Sequence, residues 1–538
     1  MVKNKKKKHK RKKPAHLPRI SSRIIVAKKN EKRKIKFETK VPYCGKKLYS
    51  DPYAPRGNKR EIKKLAKIRS SSPPQLRKQV RNLEFVFNPK NVAIVGASAK
   101  PSKIGHAILR NFMQGGFSGK IYPINIHEEE ILGKKCYKKI SDVNEKIDCA
   151  VIAIPAKYVY DVLKDAISAG VPSAVVISGG FSEVGNREGE EKIKKLADEN
   201  NMALIGPNCM GVLNPATKND SVFLPIHKLG RPQVGTISFI SQSGAVGGCI
   251  VDLASKWGVG ISKFVSYGNA ASINETDLIN FLSQDEDTHS IISYIEGVDD
   301  GRKFMNSISY LTLHKPFVAL KAGKSKLGSE ATASHTGSMA GSYQIFSSAL
   351  KQSGGIEAET LDELFELAKI FELPKFFGSR IAVLTNGGGN GVLAADAIEL
   401  NYMELATFSP STLRQLKEFL PSTTNIRNPL DVIGDADAKR YERALNILVE
   451  DENVDAIVAI VLFQTAALDS SIVQVLARAA HSSKKPIVVV STGGEYTELQ
   501  CKILDDYGIP TYSSPSNAIN ALAKAQKYNI YCHIKRFE

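Results

Sequence analysis

From residue 91 onward, short runs of aliphatic and β-branched residues alternate with longer stretches whose apolar positions recur at helical spacing. NVAIVGAS (91–98), KIYPIN (120–125), CAVIAIP (149–155), SAVVISGG (173–180) and MALIGPN (202–208) are continuous apolar runs, the pattern of strands buried on both faces of a parallel sheet. Helical segments such as YVYDVLKDAISAG separate them, so residues 88–222 read as a doubly wound α/β domain. A linker with Pro225, Gly230 and Pro232 follows, and the pattern restarts twice. One set of strands lies at 235–244, 261–269, 290–297 and 316–323, within a domain drawn at 232–360. Another lies at 380–389, 454–463 and 486–494, within a domain drawn at 375–530. A length of 538 residues suits this division into three parallel-sheet domains.

Charge separates the remainder. Residues 1–87 hold 30 Lys and Arg against 5 Asp and Glu, whereas the rest of the chain holds 45 against 49, so the net +21 belongs to an N-terminal arm. Like charges at that density cannot bury a core, which makes residues 1–87 a disordered arm by expectation. Such an arm is suited to contact a polyanion or nucleic acid, or is simply a solvated tail. No apolar segment follows the basic stretch as a signal peptide requires, and the longest apolar run, AIVAIVLF at 456–463, is far too short to span a membrane. Seven scattered cysteines without a CxxC pair point to free thiols in a reducing compartment and to no zinc site; the expected location is the cytoplasm.

Ligands of open parallel sheets bind beyond the carboxyl ends of the strands, so those ends carry the chemistry. The first strand ends in GASAKPSKIG (96–105). Gly96 and Gly105 are too far apart for the dinucleotide fingerprint, yet small residues, Lys103 and a following helix N-terminus suit a phosphorylated ligand. In ISQSGAVGG, Ser241, Gln242, Ser243 and Gly244 lead into a helix; in LTNGGGNGVLAAD, Asn386 and Gly387 to Gly389 lead into another. Both offer backbone N–H groups and the positive end of a helix dipole to an anion. ATASHTGSMAG (331–341) places His335 among small residues, which alone reads as a loop or cap histidine. Glu296, at the end of SIISYIEG, is either a solvated strand-end carboxylate or the group that fixes the histidine tautomer. Combined, these parts suggest a histidine that takes up a phosphoryl group between two helix N-termini.

NVAIVGAS, EEEILGKKCY, GPNCMG, ISQSGAVGG, ASHTGSMAG, TNGGGNGVLAAD and NPLDVIGDA occur in an order that resembles the alpha subunit of ADP-forming acyl-CoA synthetases (ADP-forming acetate-CoA ligases), in the succinyl-CoA synthetase superfamily. The resemblance covers about residues 88–530. It implies an α/β chain with a CoA-binding Rossmann-like domain followed by two flavodoxin-like ligase domains. It puts His335 at the phosphohistidine, Glu296 at its supporting glutamate, and Ser241, Ser243 and Gly244, with Gly387 and Gly388, at the two phosphate-holding helix starts. CoA or acyl-CoA would lie against Gly96, Ser98, Lys100, Lys103, Gly105, Asn125, Ser178, Gly179 and Asn208. It also implies ADP or ATP with Mg²⁺ on a separate ATP-grasp beta subunit, in an alpha2-beta2 heterotetramer acting on a small carboxylic acid and phosphate.

Two segments depart from the family pattern. PINIH puts Ile126 and His127 where a proline and a lysine are expected, and GNAASINE carries Ser272 and Asn274 in place of acidic residues. A non-catalytic CoA-sensing module, and a nucleic-acid-binding protein using the arm, are the alternatives. Retention of His335, Glu296 and both phosphate loops favours the enzyme.

Overall fold

The computed structural model describes residues 76–336 and 342–537. The expectation for the arm therefore lies outside the described residues up to position 75. Residues 76–87, read from sequence as the end of that arm, are part of the folded body: Lys78–Arg81 and Leu83–Phe87 are helical. Val80, Leu83, Val86 and Phe87 bury their side chains, and Phe87 stacks on Phe281 at 5.5 Å. The charge excess of the arm masks this apolar i, i+3 spacing.

Five parallel strands form the first sheet: β1 (Asn91–Val95), β2 (Lys120–Ile124), β3 (Cys149–Ile152), β4 (Ser173–Val176) and β5 (Ala203–Ile205), in the order β2-β1-β3-β4-β5. The chain reverses direction across the sheet between β1 and β3, and the crevice at such a switch point opens beyond the carboxyl end of β1.

The second sheet is mixed. Its strands are β6 (Gly211–Asn214), β7 (Asn219–Asp220), β8 (Val234–Ser241), β9 (Ile261–Ser266), β10 (Ser290–Ile295), β11 (Phe317–Lys321) and β12 (Ile356–Ala358). They follow the order β12-β11-β10-β8-β9-β6-β7. β6 and β7 come from the stretch drawn as the end of the first domain, yet β6 pairs antiparallel with β9, Leu213 opposite Phe264. The segment after β5 thus crosses to the next sheet, and Arg231 locks the returning linker by donating from Nε to Asp220 Oδ2 at 2.7 Å.

The third sheet runs β14-β13-β16-β17-β18, from β13 (Arg380–Thr385), β14 (Glu404–Leu405), β16 (Ala456–Ile460), β17 (Ile487–Val490) and β18 (Thr511–Tyr512). Short β15 (Leu430–Asp431) also pairs with β13. The last helix, Pro515–Phe537, joins the second and third sheets: Lys524 Nζ donates to Glu363 Oε1, and Tyr528 Oη to the Thr312 carbonyl at 3.0 Å.

Candidate active site

Beyond β1 the chain turns at Gly96, whose φ of +86° lies in the left-handed region, and enters the helix Ile104–Gln114. A β-carbon added at Gly105 would lie 1.9 Å from the Gly96 carbonyl oxygen, so the helix begins directly against the loop only because both positions are glycine. His106 closes the same turn through Nδ1 and the Ser98 carbonyl, 2.9 Å apart, and is buried. Asn125 donates to the Ala97 carbonyl at 2.8 Å and accepts from the His127 amide at 2.7 Å.

These residues wall a cavity of about 1240 Å³, lined among others by Gly96, Ser98, Lys103, Gly105, Asn125, Ser178 and Gly179. Lys100 does not line it. Lys138 and Lys139 do, together with Ile126 and His127. The basic side chains come therefore from Lys103 and from Lys138 and Lys139, which directly follow EEEILGKKCY and were not singled out by sequence.

A second cavity, of about 1070 Å³, adjoins the first: Ile104, Ile177 and Gly179 line both. Asn208, Ser243, Gly244 and Glu296 face into it from three different strand ends. Ser243 caps the helix Gly244–Lys256, and its side chain accepts from the Val246 amide. Ser241 differs from expectation. It is fully buried and its hydroxyl donates to the Ser243 carbonyl at 2.6 Å, so it shapes the turn and does not face the cavity. Gln242 joins the turn to β10, its Oε1 accepting from the amides of Glu296 and Gly297.

Glu296 is buried, and Lys321 Nζ donates to its carbonyl oxygen at 2.7 Å. Burial, with Glu296 alongside, pushes the Tyr294 phenol up to about 12. Asn269 bridges the first two domains: it donates to Glu183 Oε2 and Glu190 Oε2, both at 2.7 Å, and accepts from Asn208 at 3.2 Å. Burial works against the Glu183 carboxylate, but the Gly180 amide and Asn269 outweigh it and hold the group below its ordinary range. Burial raises the Cys209 thiol to about 12, which makes it a small lining group and no nucleophile.

His335 sits in a helix, Lys326–Thr336, and not in a loop. Ser325 starts that helix by accepting from the Gly328 amide at 3.1 Å, and the alanines at 331 and 333 sustain it. The helix packs against the Ser182–Val184 turn, and Ser182 lines the second cavity. The His335 side chain and residues 337–341 lie outside the described residues. Gly387 and Gly388 begin the helix Gly388–Leu400 in the third domain and line neither cavity. Asp431 approaches that helix start, its Oδ2 3.0 Å from where a β-carbon on Gly388 would be.

Three family models match in sequence order: a CoA binding domain at 90–215, a succinyl-CoA ligase like flavodoxin domain at 234–371 and a ligase-CoA domain at 381–533. The chain is 38% identical, over 82% of its length and 96% of the relative's, to the acetate–CoA ligase [ADP-forming] II subunit alpha of Pyrococcus furiosus. The chain belongs to the ADP-forming acyl-CoA ligase family. Within that family, it is 41% identical to the acetate–CoA ligase [ADP-forming] I of Archaeoglobus fulgidus, but spans only 64% of that longer protein. Among solved structures, it is similar to the Ca. Korarchaeum cryptofilum dinucleotide forming acetyl-coenzyme A synthetase 1 in complex with phosphate and ADP. There the TM-score is 0.77 and the identity 37%, covering 85% of this chain and 97% of that one. Among the described residues, no helix is long and apolar enough to cross a membrane.

Sequence reasoning missed Asn269 and Glu275, which share the second cavity with Glu296. Both lie in GNAASINE, beside Ser272 and Asn274, and neither stands out from the pattern by sequence.

Proposed function

We propose that this chain is the CoA-binding, histidine-bearing subunit of an ADP-forming acyl-CoA ligase, with acetate as the acid. It interconverts acyl-CoA, ADP and phosphate with the carboxylic acid, ATP and CoA. The observation that carries this reading is the pair of adjoining cavities. The first has a glycine turn, a helix N-terminus and Lys103, Lys138 and Lys139 for a phosphorylated ligand; the second holds Glu296 beside the capped helix start at Ser243 and Gly244.

A phosphate oxygen attacks the thioester carbonyl carbon, the C–S bond breaks, and CoA leaves as the thiol. An imidazole nitrogen of His335 then attacks the phosphorus of the acyl phosphate and the carboxylate leaves. Phospho-His335 passes the group to ADP. The chain's contribution is to place donors where charge develops, which is most of what phosphoryl transfer requires. Ser243 and Gly244 bind phosphate, while Gly387 and Gly388 receive the phosphoryl group at a second helix start. Glu296 orients the imidazole.

ADP and Mg²⁺ are assigned to an ATP-grasp beta subunit in an alpha2-beta2 assembly. This is supported by the alpha-subunit name of the Pyrococcus relative and by the additional length of the Archaeoglobus one. ATP formation from acetyl-CoA, ADP and phosphate, measured with the partner present, tests the reading. His335→Ala abolishes it while CoA binding persists; activity in that variant contradicts it.

A further inference from the structure

The thioester carbonyl has to reach the second cavity to meet phosphate near Glu296, so the acyl chain beyond it must lie on the walls of that cavity. This step rests on the function proposed above. One wall, Met210, Phe223 and Leu224, is apolar. The same cavity is lined by Glu275, the first residue of the helix Glu275–Gln284, with only 3% of its surface exposed. Its carboxylate accepts from Thr276 Oγ1 at 3.3 Å, and no cation pairs with it among the described residues. Glu275, Glu296 and Asp299 all act on the buried phenol of Tyr267, whose hydroxyl has no hydrogen-bond partner among the described residues. The cavity's cations, Arg187 and Lys194, stand on the helix Arg187–Glu199 with Glu190 and Glu191 beside them.

We propose that Glu275 sets acyl selectivity. Its carboxyl group, facing the acyl chain without a counter-charge, rejects thioesters that carry a second carboxylate, while the Met210, Phe223 and Leu224 wall accepts an uncharged chain. A buried like charge with no cation beside it discriminates strongly because the second carboxylate finds no opposite charge there.

Burial, with Asp299 and Asp277 nearby, pushes the Glu275 carboxyl up to about 7. The charged and titratable groups acting on it are Asp299 and, on its own helix, Asp277, itself paired with Arg77; Tyr267 is the buried phenol it acts on in turn. The rejection should accordingly be stronger at pH 8 than at pH 6.

The test is calorimetric titration of the full chain with CoA, butyryl-CoA and succinyl-CoA. At pH 8 the wild type is expected to bind butyryl-CoA about tenfold more tightly than succinyl-CoA, a ratio that narrows at pH 6. Glu275→Gln brings the two within about twofold, and Glu275→Asp keeps the difference. Equal affinities in the wild type at pH 8, or an undiminished ratio in folded Glu275→Gln, overturn the assignment. Should Glu275→Gln not fold, the pH comparison on the wild type decides: a ratio that does not narrow at pH 6 overturns the proposal. Failure to bind CoA or either thioester at all overturns the functional reading itself.

Discussion

The backbone amide of Glu296 donates to Oε1 of Gln242 at 2.8 Å, and the Gly297 amide shares that oxygen at 3.0 Å. One side chain from the turn before the helix Gly244–Lys256 thus fixes the end of β10, and with it the position of Glu296 relative to Ser243. Replacing Gln242 with Ala leaves two amides without this acceptor, a loss of roughly 1–3 kcal/mol each where water does not reach them. Phosphoryl transfer should fall at least about tenfold in kcat, with KM for acyl-CoA within about threefold of wild type. Steady-state kinetics with acetyl-CoA separates the two parameters.

Gly105 allows the first helix to start against the Gly96 carbonyl. In Gly105→Ala the added methyl meets that oxygen and the glycine turn must shift. CoA affinity should drop by about tenfold or more, the equivalent of about 1.4 kcal/mol. Calorimetric titration of CoA into the variant measures this directly; unchanged affinity would place CoA elsewhere.

Glu275 gives a pH signature in stability. Its folded-state value of about 7 lies above the ordinary carboxylate value of 4.5, so the native state holds this proton more tightly than the unfolded chain. The associated stability is fully present below pH 4.5 and is lost as pH rises through 7. Glu275→Gln, which cannot ionise, should gain stability over wild type by about 3 kcal/mol at pH 8 and by little at pH 4.5. Denaturant titrations at the two pH values give the difference, and a constant gap would contradict the buried carboxyl.

Asn269 touches Glu183 and Glu190 from across the boundary between the first two sheets. Asn269→Ala leaves both carboxylates short of a donor in a partly buried setting. The expected cost is about 1–3 kcal/mol, with Asp at the same position worse than Ala because it adds a third carboxylate. Thermal melts of the two variants check the order.

Much of the fold was legible because buried parallel strands leave continuous apolar runs, and NVAIVGAS, SAVVISGG and RIAVLTNGGG coincide with β1, β4 and β13. β6 and β7 were not. Four and two residues long, they carry no periodicity and owe their place to pairing with β9, a contact no local pattern reports. The helix through His335 was obscured by its serines and threonines, although Ser325 and the alanines that follow it support one. Ser241 shows the opposite error: a hydroxyl beside a phosphate-type turn looked like a ligand, but the turn itself uses it. Lys138 and Lys139 directly follow EEEILGKKCY, yet only the folded chain shows that they reach the first cavity.

The most direct measurement is phosphohistidine labelling. The chain is incubated with radiolabelled phosphate and acetyl-CoA, with and without the proposed ATP-grasp partner, and acid-labile, alkali-stable label is mapped. The account predicts label on His335, absent in His335→Ala and lowered at least about tenfold in Glu296→Gln. Absence of label across several acyl-CoAs with the partner present, or label that survives His335→Ala, would contradict it.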